Sequence, residues 1–388
     1  MEIPEGFEAS LKVDRKAHVL KLVKSIYGLK QASRVWNEKF TSTIQQMNFV
    51  QSQADPCVFI KYGPDQVPIA LIGIYVDDCH VAAKDDQIAE IGNQLKSKFE
   101  MHDLGPLKYS LGINVDQSNG AVTLSQAKYV EKLTKKFGMD DSRIMSTPLP
   151  FKPQNDQSNN KPFADVNKYQ QLIGSLIYLA NATRPDIAYS VSYLARAMQK
   201  PTDADFNHAK RILKYLKSKP LALRYYDKSK IVEGYSDASY AEEKDYKSVG
   251  GYVFLQAGAA ITWRSTKQDI VAQSSAEAEY IALAEAAKEA LWIRKLQHEI
   301  FPTMKEPTII YEDNQSAINL AQNPIHTNRS KHIAVRYHAV RDYVEKKMIE
   351  VKYCPTSEMV ADIMTKSLGR ILHEKFVEKM GLVKPKGV

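Results

Sequence analysis

Ile72-Gly73-Ile74-Tyr75-Val76-Asp77-Asp78-Cys79-His80-Val81 is an apolar run that meets two adjacent carboxylates, after which apolar residues soon resume. Strand-forming residues dominate the first half, and a tight turn sets Asp77 and Asp78 at its tip. Two neighbouring Asp side chains repel each other, so ionising both without a cation is costly. A hard divalent ion such as Mg²⁺ removes that cost, because it takes carboxylate oxygens together with substrate phosphates. A tip built this way points to nucleotidyl transfer by two metals. The plain alternative is a solvated hairpin, since Asp is common in turns.

The surrounding text decides between the two. Ser25-Ile26-Tyr27-Gly28-Leu29-Lys30-Gln31-Ala32 lies before the Asp pair, and Asp103-Leu104-Gly105-Pro106-Leu107-Lys108-Tyr109 with Leu111-Gly112 lies after it. Tyr75-Val76-Asp77-Asp78 resembles the catalytic turn of reverse transcriptases. The whole order resembles the Pol polyprotein of copia-type LTR retrotransposons, over residues 4–382. The resemblance implies that Asp77 and Asp78 bind metal in a polymerase. It sets Tyr27, Gly28 and Lys30 under the incoming nucleotide or template base, and makes Leu111-Gly112 part of a primer-gripping hairpin. In the family, a first metal-binding Asp sits on its own strand upstream of a segment like residues 1–7. Asp14, in a charged turn, and Asp55, at a strand entry, stand in the wrong context to replace it. The polymerase site is therefore expected to be incomplete, which primer extension by the isolated chain tests.

Composition sets the bounds. At 388 residues, 44% of them hydrophobic, the chain is expected to form two or three packed units. A net charge of +8 fits a polyanionic partner. Cys57, Cys79 and Cys354 show neither zinc spacing nor a pairing pattern, so a reducing compartment is expected. The cytoplasm, including element particles, is the first expectation and the nucleus the second. No stretch is long and apolar enough to span a membrane, and no signal peptide opens the chain.

Periodicity gives the elements. Residues 19–26 alternate toward a strand, and 34–47 read as an amphipathic helix. Residues 86–99 read as a helix with Ile88, Ile91, Leu95 and Phe99 on one face. Strands over 109–115 and 121–124 flank Asn119-Gly120, a strong hairpin signal. Residues 142–166, rich in Pro, Asn, Gln and Ser, read as a connector. Three helices follow, the last over 203–217 with Lys210, Arg211, Lys214 and Lys217. The family uses this region as a thumb that holds the duplex, so Lys210 and Lys214 are candidate phosphate contacts; a solvated basic face is the plain alternative.

From about residue 221 a second chemistry begins. Strand patterns over 231–237, 251–256 and 260–264 precede a long helix over 275–300. A strand over 308–312, helices over 315–322 and 331–347, a strand over 349–353 and a helix from 357 complete a mixed sheet with helices on its faces. Asp237 lies within an apolar strand, Asp313 follows Glu312 at a strand end, and Asp362 stands near a helix start. A fourth acid comes from Ser274-Ser275-Ala276-Glu277-Ala278-Glu279-Tyr280. Ser274 and Glu277 fit a capping box, which leaves Glu279 for the site. The arrangement resembles ribonuclease H. That resemblance implies two Mg²⁺ or Mn²⁺ ions about 4 Å apart, one activating water and one stabilising the leaving oxygen. The substrate implied is the RNA strand of an RNA–DNA hybrid, read by backbone shape and 2′-hydroxyls. Lys331-His332-Ile333-Ala334-Val335-Arg336-Tyr337-His338 also matches the family. His332 and Arg336 share a helix face, and either substrate contact or support of the late helix fits them. Many ribonucleases H carry a mobile His before the last Asp, whereas Lys352-Tyr353-Cys354-Pro355-Thr356 has none.

The expected fold is a multidomain α+β and α/β chain. A partial reverse-transcriptase palm with its primer-grip hairpin spans 1–141, a linker 142–166, a helical thumb or connection 167–220 and a ribonuclease H-like domain 221–382. The leading function is cleavage of RNA in hybrids, with primer–template nucleic acid and other retrotransposon proteins as further partners. The alternative is a catalytically inactive nucleic-acid-binding remnant.

Overall fold

The computed structural model describes residues 1–7, 17–139, 143–151, 161–241, 245–323 and 334–385, with 334–337 as backbone only. Two compact units emerge: Met1–Leu104 with Lys295–Met304, and Gly105–Arg294 with Lys305–Val388.

Among the described residues the first unit holds a four-stranded antiparallel sheet, two helices of its own and the end of a third. Its strands β1 (Val50–Gln51), β2 (Val58–Tyr62), β3 (Pro68–Tyr75) and β4 (Asp78–Ala83) lie in chain order. Helix α1 (Ala32–Gln46) buries Phe40, Thr43 and Ile44, the spacing of one helix face. Helix α2 (Asp85–Lys98) buries Ile91 and Leu95, and Phe99 just beyond it stacks on Phe40 with ring centroids 5.3 Å apart. Ile88, expected on that face, is 39% exposed, one turn short of where the core reaches. Residues 19–26 form no strand. Met1 and Leu20 exchange backbone hydrogen bonds of 2.7 and 2.8 Å, while Val23 is 94% exposed. Alternation without a partner strand leaves the backbone unpaired, and an isolated strand is not stable.

The second unit holds two sheets. One has the order β14–β8–β7–β6–β5, from β5 (Tyr109–Ser110), β6 (Ile113–Ser118), β7 (Ala121–Ser125), β8 (Ala222–Tyr225) and β14 (Leu382–Val383). The β6–β7 turn is Asn119-Gly120, both with positive φ (55° and 69°), the type I′ geometry those residues favour. The strand expected over 109–115 is broken by a second such turn at Leu111 and Gly112 (φ 50° and 76°). β7 pairs with β8, so the hairpin expected with segment 1–141 shares a sheet with segment 221–382.

Helices α3 (Ala127–Lys136), α4 (Val166–Ala182), α5 (Ala188–Ala195) and α6 (Asp203–Ser218) pack around Tyr169, Leu172, Leu176, Ile212 and Leu216. A 3₁₀ turn, Pro185–Ile187, precedes α5. Beside it Arg184 donates to Asp186 through Nε (2.9 Å) and Nη2 (2.7 Å), and Tyr215 donates to Asp186 at 2.6 Å, all buried. Removing one member of such a pair leaves an uncompensated buried charge.

The other sheet has the order β11–β10–β9–β12–β13: β9 (Glu233–Ser239), β10 (Val249–Gln256), β11 (Ala259–Lys267), β12 (Thr308–Glu312) and β13 (Ile349–Tyr353). The first three run antiparallel, while β12 is parallel to both β9 and β13. The long helix α7 (Ser275–Ile300) buries Ala278, Ala282, Ala286, Ala287 and Ala290. Small residues let it lie close: a Cβ on Gly250 would stand 3.3 Å from that of Ala282. Then come α8 (Gln315–Gln322), α9 (Ala334–Glu345), α10 (Asp362–Thr365) and α11 (Arg370–Lys379). The single helix expected from residue 357 is thus a 3₁₀ turn, Thr356–Glu358, followed by two helices. Among the described residues no helix is long and apolar enough to cross a membrane.

Candidate active site

In the second unit four elements deliver the acids. Asp237 stands in β9, paired with Gly251 of β10. Glu279 lies in the first turns of α7. Its N-terminus is capped as expected by Ser274, whose Oγ accepts from the Glu277 N–H at 3.2 Å, but Glu277 reaches back to the N–H of Gln273 (2.8 Å) rather than that of Ser274. Glu277 is thereby occupied, and Glu279 is free to face the sheet. Asp313 follows the end of β12, and Asp362 opens α10.

Asp237, Glu279 and Asp313 each bring a carboxylate oxygen to within 4.8 Å of the other two. Asp362 reaches the same place through a shared cation. Lys366 sits 2.9 Å from Asp362 and 4.0 Å from Asp237. Thr365 donates a short hydrogen bond to Asp237 and lies 3.2 Å from the Asp362 carbonyl. Thr356, in the loop that carries no His, donates to Asp313 at 2.7 Å.

The electrostatics follow from crowding. Burial, with Asp237, Glu312 and Asp313 nearby, pushes Glu279 up to about 11. Burial and Asp237 push Asp362 up to about 7, and burial also raises Asp237. Burial opposes the charge of Lys366, but Asp237 and Asp362 outweigh it and hold the ammonium above its usual range. One oxygen of Glu279 and one of Glu312 are buried without a hydrogen-bond partner. Converging carboxylates with unsatisfied oxygens fit a hard divalent cation such as Mg²⁺. Nothing in the sequence marked the place of Glu312, Thr365 and Lys366 in this site. The inward face of Glu312 and the span of Lys366 depend on which elements pack against them.

In the first unit Asp77 and Asp78 stand exposed at the β3–β4 turn. The residue before them, Val76, has φ +54°, an unfavourable conformation for a β-branched side chain. Trp36 Nε1 donates to its carbonyl at 3.0 Å, holding the turn. Tyr27, 82% exposed, donates a short hydrogen bond to Asp77, and that bond, with the carboxylate's charge, raises the phenol. Sequence reasoning placed Tyr27 near substrate but missed this bond across the chain. Gly28 has φ +91° and Lys30 is exposed. Asp55 has a structural task, accepting from the Cys57 N–H at 2.9 Å, and Asp14 lies outside the described residues. Among those residues Asp77 and Asp78 belong to no group of three possible metal ligands.

The other candidates are dispersed. Leu111 and Gly112 form the β5–β6 turn, where Tyr178 bonds the Leu111 carbonyl and fills the space a Gly112 Cβ would need. Lys210 and Lys214 are half-buried on α6, with Lys210 5.0 Å over the Phe206 ring. Arg211 of the same face bonds Thr147 at 3.1 Å. His332 lies outside the described residues, and Arg336 is described only as backbone of α9.

A family model described as "Reverse transcriptase (RNA-dependent DNA polymerase)" matches residues 1–150. The Pol polyprotein from transposon TNT 1-94 of Nicotiana tabacum is 37% identical over 98% of this chain and 29% of its own length. That from transposon RE1 of Arabidopsis thaliana is 34% identical over 99% of this chain and 26% of its own. The chain therefore spans less than a third of these curated polyproteins. A transposon Ty5-1 protein of Saccharomyces cerevisiae is 34% identical over 74% of this chain and 93% of that protein. Among solved structures, LC11-RNase H1 in complex with an RNA/DNA hybrid gives a TM-score of 0.27 at 14% identity, covering 34% of this chain and 93% of that one. With relatives of this kind along almost its whole length, the chain belongs to the Pol polyproteins of copia-type LTR retrotransposons.

Proposed function

We propose that this Pol segment cleaves the RNA strand of RNA–DNA hybrids at the site of Asp237, Glu279, Asp313 and Asp362. The observation that carries the reading is the convergence of Asp237, Glu279 and Asp313, from a strand, a helix and a strand end, within 4.8 Å. Burying that much like charge is unfavourable unless a cation offsets it. Mg²⁺ or Mn²⁺, when bound, supplies an activated water and stabilises the leaving oxygen. Asp237, the central acid, is held by Thr365 from one side. Glu279 comes from a helix whose start is fixed by Ser274. Lys366 sets an ammonium beside both Asp362 and Asp237. The hybrid is read through its backbone shape and 2′-hydroxyls, which suits a basic chain.

Cleavage of a labelled hybrid with Mg²⁺ tests the reading, beside Asp313→Asn. Wild-type cleavage is expected, with a loss of at least about 100-fold in the variant, because a carboxamide cannot replace an anionic ligand. No cleavage from folded protein that still binds the hybrid sinks the reading and leaves a binding remnant.

A further inference from the structure

We propose that Thr356 is a positioning residue for Asp313, holding that carboxylate toward the acidic site through its hydroxyl; this rests on the proposed hybrid-cleaving function of that site. The Thr356 Oγ1 donates to Asp313 Oδ2 at 2.7 Å. Asp313 needs such a donor. Its backbone is fixed between the end of β12 and α8, whose first turn is capped by Asn314 accepting from the Ala317 N–H at 3.1 Å. Its side chain is not fixed by that. A carboxylate has two oxygens, so a hydroxyl on one leaves the other free to ligate.

The loop that presents Thr356 is anchored at several points. The Cys354 N–H donates to the Glu312 carbonyl at 2.9 Å, tying the loop to the strand end beside Asp313. Cys354, Met359 and Ala361 are buried together against Tyr235 and Tyr311. Lys375 of α11 donates to the Ser357 carbonyl at 2.7 Å. Lys375 and Lys379 both grip the Glu358 carboxylate, which they hold down at about 2. A hydroxyl on so constrained a loop has a defined position, whereas the same hydroxyl on a loose loop would have none.

The test is Mg²⁺ binding to the nucleic-acid-free chain by calorimetry, with hybrid cleavage as a second readout. Thr356→Val keeps size and removes the donor, and Thr356→Ser keeps the donor. Thr356 is exposed, so both variants are expected to fold, which their melting temperatures check. Thr356→Val is expected to bind Mg²⁺ about 10-fold more weakly, the usual effect of losing a hydrogen bond to a metal-binding carboxylate. It should need correspondingly more Mg²⁺ for half-maximal cleavage, with the rate at saturating Mg²⁺ little changed. Thr356→Ser is expected to restore wild-type binding. Wild-type affinity in Thr356→Val, or a Ser variant as weak as the Val one, overturns the inference alone. A wild-type chain that binds no Mg²⁺ overturns the proposed function with it.

Discussion

Lys366 stands between Asp362, 2.9 Å away, and Asp237, 4.0 Å away, as the cation nearest both. It does not fully offset the crowding, since Asp362 is still pushed up to about 7 by burial and Asp237. A carboxyl raised in this way holds its proton more tightly folded than unfolded. The stability it contributes is present below the unfolded value of about 4 and is lost as pH rises through about 7. In EDTA, the melting temperature is therefore expected to fall between pH 5 and pH 8 in wild type, and to fall less in Asp362→Asn. Mg²⁺ should recover more of the wild-type melting temperature at pH 8 than at pH 6. Parallel profiles for the two proteins would contradict this account of Asp362.

Among the elements, β10 and α10 meet at Gly251, the residue registered opposite Asp237. A Cβ there would press into Met364 of α10 and come within 3.0 Å of the Arg264 carbonyl. The bare glycine lets α10 lie on the sheet, which is how Asp362 and Thr365 reach Asp237. Gly251→Ala is expected to destabilise the fold by about 1–3 kcal/mol and to reduce cleavage further than that loss explains, measured by urea unfolding beside hybrid cleavage. Gly251 had no visible task in the sequence, because its role depends on an element more than a hundred positions away in the chain. The Asn119-Gly120 turn was legible, since the geometry it needs is local. So was the cap at Ser274, because capping is settled within four residues. The break at Leu111-Gly112 was not, as alternation runs on through a turn whose strands are this short. Residues 19–26 failed for the opposite reason: the pattern was there, but beyond the bonds of Leu20 to Met1 it forms no strand ladder among the described residues. The meeting of Asp237, Glu279 and Asp313 was legible because metal chemistry limits the residue types that can converge. Their shared support in Thr356, Thr365 and Lys366 arises only from packing.

At the scale of the molecule, the segment from residue 221 shares a sheet and buried contacts with the residues before it. Its β8 completes the sheet of the β6–β7 hairpin, and Trp263 Nε1 donates to the Ala180 carbonyl at 2.7 Å. Ala188 of α5 lies in one buried cluster with Val253 and Met364. A fragment of residues 105–388 is expected to be soluble and to unfold cooperatively. One of residues 221–388 is expected to aggregate, because it exposes β8 and the Ala188 contact face. Expression of both, followed by size exclusion and calorimetry, decides this, and a monomeric, cooperative 221–388 fragment would refute it. β14 adds a matter of timing. It pairs with β8 antiparallel, and the Gly381 carbonyl accepts from the Arg224 N–H at 3.0 Å. During synthesis on the ribosome, β8 emerges long before residues 382–383 can reach it. One edge of the hairpin sheet must therefore wait unpaired while the residues between 225 and 382 are made, an interval in which that edge is open to pairing with neighbouring chains on the same polysome.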